Sequence, residues 1–140
     1  MKKMVSFAGL KVGQKGEISK KIEERDVKEF SLLSLDDNPI HMSEEFASNT
    51  KLGGRIVHGM LVASLISAAV GTRMPGPGSV WMDQNLRFLR PVRVGDTIRA
   101  VSELVEKIDD RRHVVVRTTC YNQDGKVVIE GSGIHKILAP

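Results

Sequence analysis

At 140 residues, with 41% hydrophobic and 27% charged side chains, the chain has the size and balance of one globular domain, 1–140, with its own core. Lys and Arg number 21 against 17 Asp and Glu, a net charge of +4, and aromatics are only 4%, so the ring-rich basic surface of a single-stranded nucleic-acid binder is missing. One cysteine, Cys120, precludes an internal disulfide and fits a reducing, cytoplasmic setting. Met1-Lys2-Lys3 is not followed by the apolar run of about 7–15 residues that an export signal needs, and no stretch reaches the roughly 20 apolar residues of a membrane span.

Residues 1–15, with two glycines and scattered lysines, read as a leading segment. Alternation around Ile18 and Ile22 predicts a first strand over 16–22, and Val27, Phe30 and Leu33, three apart, predict an amphipathic helix over 24–34. Asp36-Asp37-Asn38-Pro39-Ile40-His41 predicts a loop, because Pro39 drives Asn38 out of the helical region. Ser43, ahead of Glu44 and Glu45, can cap a short helix. Gly53-Gly54 predicts a turn.

From 60 to 70, nine of eleven residues are apolar, so the predicted helix must be covered on every side. Gly59 stands at its start, where amides are free, and Gly71 is its expected C-cap. Only Ser64 and Ser67 interrupt the apolar surface, and they share one face. The polar loop and this helix start together form the candidate active site. A breaker-rich linker over 73–79 leads into four predicted strands: 80–88, 97–108, 113–122 and 126–138. Asp124-Gly125 predicts a type I′ hairpin turn, and Gly131 and Gly133 predict a close approach of the helix to the sheet. The fold class is α+β, a five-stranded antiparallel sheet wrapped around a buried helix, the layout of a hot-dog fold.

The elements Asp36-Asp37-Asn38-Pro39-Ile40-His41, Ile56-Val57-His58-Gly59-Met60 and Pro91-Val92-Arg93-Val94-Gly95-Asp96 resemble the signature of the MaoC-type dehydratases, specifically the (R)-specific enoyl-CoA hydratases, over about residues 24–138. The resemblance implies reversible syn hydration of trans-2-enoyl-CoA to (R)-3-hydroxyacyl-CoA. It implies Asp36 and His41 as the catalytic pair, Asn38 as support for their loop, the Gly59 amide as oxyanion hole, and Ser67 as orienter of the aspartate or the water. It also implies a homodimer with the acyl-CoA near the subunit junction. One departure is Leu35, where the family often carries glycine.

The chemistry asks for the same residue types. Hydration of a conjugated thioester needs a base for water, an acid for C2 and a donor for the enolate oxygen; a carboxylate and an imidazole serve the first two, an N–H at a helix start the third. No cofactor or metal is required, coenzyme A arriving as part of the substrate. Asp36, His41 and His58 can be drawn as a metal triad, but their spacing matches no zinc helix motif. Arg87, Arg90 and Arg93 are candidates for the CoA phosphates, with a solvated basic face as the other reading. A hot-dog thioesterase or acyl-carrier-protein dehydratase would usually carry its acid on the central helix, where this chain has none. A non-catalytic acyl-CoA-binding regulator would need no acid–base pair.

Overall fold

The computed structural model describes residues 2–140. Strand β1 (Lys15–Lys21) leads into helix α1 (Glu24–Ser34), the short helices α2 (Pro39–Met42) and α3 (Glu44–Ser48), and the long helix α4 (Gly59–Thr72). Strands β2 (Ser79–Gln84), β3 (Arg87–Phe88), β4 (Thr97–Ile108), β5 (His113–Tyr121) and β6 (Val127–Ile137) follow. The sheet is antiparallel, ordered β1-β4-β5-β6-β2, with β3 also pairing β6. It curves around α4, as the hot-dog layout requires.

The sixth strand comes from the predicted 80–88 run, which divides in two. A bulge at Trp81–Asp83 shifts the register, and the Asn85 carbonyl then turns in over Gly131. A Cβ on Gly131 would lie 2.0 Å from that carbonyl oxygen, and one on Gly133 would lie 2.4 Å from the Asp83 carbonyl oxygen. These glycines therefore admit the bent edge strand, not the helix as their spacing suggested.

The core joins Val62, Ile66, Ala69 and Val70 of α4 to Ile98, Ala100 and Leu104 of β4, Val114, Val116 and Cys120 of β5, and Val128, Ile129 and Ile137 of β6. Burial pushes the Cys120 thiol up to about 12, so it remains an unreactive packing group. Phe7 and Leu10 of the leading segment are also buried, and Lys107 Nζ donates to both of their carbonyls.

Further expectations change. The inward face of α1 is Val27 and Ser31, while Leu33 is 85% exposed. Helix α4 continues through Gly71 to Thr72 with Arg73 as its cap, because the Arg73 N–H still reaches the Ala69 carbonyl. The 121–127 hairpin is not type I′: only Gly125 has positive φ, and the Asn122 side chain takes the N–H groups of Asp124 and Lys126.

In the single chain α4 is also not covered all round. Met60 is 57% exposed and Ser64, Ser67 and Gly71 follow on the same stripe, beside the free edge of β2. Among the described residues no helix is long and apolar enough to cross a membrane.

Candidate active site

The polar segment after α1 is more ordered than a loop. Leu35 takes a left-handed conformation (φ 67°), the conformation glycine adopts without penalty, and so turns the chain out of α1. Asp36 Oδ1 then accepts the Asn38 N–H, and Asn38 Oδ1 accepts the Ile40 N–H. Asn38 keeps a non-helical backbone (φ −49°, ψ 126°) before Pro39, as the proline demands, yet Pro39 itself opens α2. That single turn of helix sends His41 inward, where it is buried.

Both histidine rings are anchored by carbonyls. His41 Nδ1 lies 2.8 Å from the Ile56 carbonyl oxygen, and His58 Nε2 lies 2.9 Å from that of Asp36. A carbonyl only accepts, so these nitrogens carry the protons. In the neutral ring of His41 the lone pair then falls on Nε2, 4.0 Å from Asp36 Oδ2, and in that of His58 on a buried Nδ1 with no partner among the described residues. The two rings stack at 4.1 Å with a 31° tilt, and Phe30 meets His58 edge-on at 4.9 Å.

Ligand atoms of Asp36, His41 and His58 also lie within 4.8 Å of one another, a grouping compact enough to face a common ion.

Gly59 follows His58 directly and opens α4, with its amide among the helix's free N–H groups. A Cβ there would lie 2.7 Å from the Phe88 ring, so any side chain at this position would have to push that ring aside. On one side of this helix start a groove runs past Ile56, Gly59, Phe88 and Arg90. On the other an apolar groove follows the open stripe of α4, between Phe30, Met60, Ser64, Ser67 and Trp81.

Asp36, Asn38 and His41 are thus brought together beside the start of α4. Ser67 is not part of that cluster: it lies about 12 Å along the helix axis from Gly59 and makes no hydrogen bond to Asp36. Arg93 is engaged elsewhere, donating to the carbonyls of Leu52, Gly54 and Arg55. Arg90 gives Nη1 to the Val127 carbonyl at the groove's edge, and Arg87 sits opposite Glu130 on β3. The residues that sequence reasoning left out are Phe30, which walls the site, and Arg55, described below.

A long helix wrapped by an antiparallel sheet is a hot-dog fold, and the relatives that share it here place the chain in the class of hot-dog hydratases and dehydratases. The MaoC like domain matches residues 8–125, and the chain belongs to that family. It is 46% identical over 125 residues to an (R)-specific enoyl-CoA hydratase of Rhodospirillum rubrum, covering 89% of this chain and 86% of that protein. To a 3-hydroxybutyryl-CoA dehydratase of Methylorubrum extorquens it is 42% identical over 135 residues, covering 96% of this chain and 85% of that one. An unliganded R-hydratase from Pseudomonas aeruginosa superposes with a TM-score of 0.90 at 40% identity, covering 98% and 88% of the two chains.

Proposed function

We propose that Asp36 and His41 hold one water between them and add it to a trans-2-enoyl-CoA whose thioester oxygen lies on the Gly59 amide. The activity is that of an (R)-specific enoyl-CoA hydratase, in reverse a 3-hydroxyacyl-CoA dehydratase, and the enzyme is a hydro-lyase.

The observation that carries the mechanism is the 4.0 Å gap between Asp36 Oδ2 and His41 Nε2. A water about 2.7–2.8 Å from both atoms subtends an angle of about 90–95°, close to the spread of its own O–H bonds. With the Asp36 carboxylate ionised and His41 neutral, both atoms are acceptors. The water then points its hydrogens at them and its lone pair outward. That oxygen bonds to C3, one of the pair takes the proton released, and the electron pair of the double bond moves through C2 onto the thioester oxygen. The Gly59 N–H meets the charge that forms there, a contribution of about 3–4 kcal/mol for a fixed donor. As the electron pair returns to C2, the proton held by the pair passes to C2 from the same side, which completes a syn addition of one water and restores both groups.

The apolar groove along α4 suits the acyl chain, since Phe30 links it to the His58 ring. The groove and the unpaired edge of β2, where Val80, Trp81 and Met82 are exposed, support a second copy of the chain as cover. Crotonyl-CoA turnover tests the activity: enoyl absorbance falls with no free thiol released, whereas a thioesterase releases thiol and a binding protein does neither. Asp36→Asn and His41→Gln each abolish turnover in a folded protein; activity retained in either variant removes that residue from the mechanism.

A further inference from the structure

The side chain that ties the site's separate segments together touches none of the reacting atoms. Arg55 lies three residues before His58, in the strap between α3 and α4, and the next residue, Ile56, gives its carbonyl to His41. Its guanidinium forks onto Glu24 of α1, with Nη1 3.0 Å from Oε1 and Nη2 2.6 Å from Oε2. The same Nη1 donates to the His41 carbonyl at 3.2 Å. Its backbone N–H goes to Glu44 Oε2 of α3. From the next residue, the Ile56 N–H goes to the Ile40 carbonyl, and the Ile56 carbonyl holds His41 Nδ1. On the far side, Arg93 grips the carbonyls of Gly54 and Arg55.

We infer that Arg55 is a positioning residue for His41: bridging Glu24 to the His41 carbonyl, it fixes the strap whose next carbonyl sets the tautomer and aim of the imidazole. This rests on the reading that His41 reacts. The neighbouring charges are consistent with it, since the guanidinium holds Glu24 below its ordinary range, and Glu24 in turn holds Arg55 above its own. The ion pair is partly exposed, so its value lies in placement more than in stability. Lysine cannot substitute, because one ammonium does not span a carboxylate and a carbonyl in a fixed fork.

The test compares Arg55→Gln, Arg55→Lys, Glu24→Gln and His41→Gln with the wild type, using crotonyl-CoA and 15N spectra of the histidine rings. For Arg55→Gln, kcat falls about 10–100-fold, the scale of a displacement of about 1 Å, while KM stays within about 3-fold. The His41 signals move from a fixed Nδ1–H form toward the mixed tautomers of a free imidazole. Arg55→Lys recovers only part of the loss, and Glu24→Gln shows a smaller one.

A dead His41→Gln enzyme beside an Arg55→Gln enzyme of normal kcat overturns this inference alone. An active His41→Gln enzyme overturns the proposed mechanism and this inference with it. Loss of thermal stability with an unchanged imidazole spectrum makes Arg55 merely structural and also overturns it.

Discussion

Burial of His135 should make the fold sensitive to mild acid. The ring lies in β6 between Val114 and Trp81, is 1% exposed, and has no hydrogen-bond partner on either nitrogen. Burial lowers its pKa from 6.5 to about 4. The unfolded chain therefore binds more protons between those values, so stability is complete above pH 6.5 and is lost as pH falls toward 4. The loss is about 2 kcal/mol at pH 5 and about 3 kcal/mol at pH 4, a large share of the roughly 5–15 kcal/mol of a typical domain. In His135→Leu the pH-dependent term disappears, and stability at pH 7.5 rises by about 1 kcal/mol because no polar group is buried unpaired. Urea unfolding of both proteins at pH 7.5 and 5, at one protein concentration, measures the difference. Glu24 and Asp26, both lowered, act in the same direction but below pH 5 and equally in both proteins. Equal losses in wild type and variant at pH 5 would refute the reasoning.

Leu35→Gly relieves a left-handed leucine that is 84% exposed, so urea unfolding should show a gain of about 0.5–1 kcal/mol with turnover unchanged. Gly59→Ala drives a methyl into Phe88 and across the proposed oxyanion site, and kcat should drop by about 100-fold or more. Adding Phe88→Leu should restore its melting temperature without restoring kcat. If a second copy covers the open edge strand, as proposed, Met82→Lys should lower the mass seen in light scattering to that of one chain, since a charge there opposes pairing between copies.

Periodicity made most of the fold legible. Alternation located β1, the runs over 97–108, 113–122 and 126–138 located β4, β5 and β6, and the apolar run broken only by Ser64 and Ser67 located α4 to within a turn. What it could not convey was closure: an apolar helix announces that it needs cover without saying whether its own sheet supplies all of it. The Trp81–Asp83 bulge was equally invisible, because a bulge leaves composition unchanged while moving every later residue to the other face. At the site, the Asp36–His41 motif gave the residue types, and Pro39 gave the bend. Their approach depended on the Ile56 carbonyl and on Leu35 taking a glycine's conformation, neither of which has a signature in residue order. Arg55 escaped notice for the same reason, since its partners lie 31 and 14 positions away.

On the proposed mechanism, the anchoring of both imidazoles through backbone carbonyls would have a stereochemical outcome. One ring is fastened to the strap and the other fastens the backbone of Asp36, so His41 and the start of the Asp36 side chain are held on one side of the site. On the mechanism proposed, solvent can reach the flat alkene from a single direction, and the handedness of the alcohol is inherited from two hydrogen bonds that never touch it.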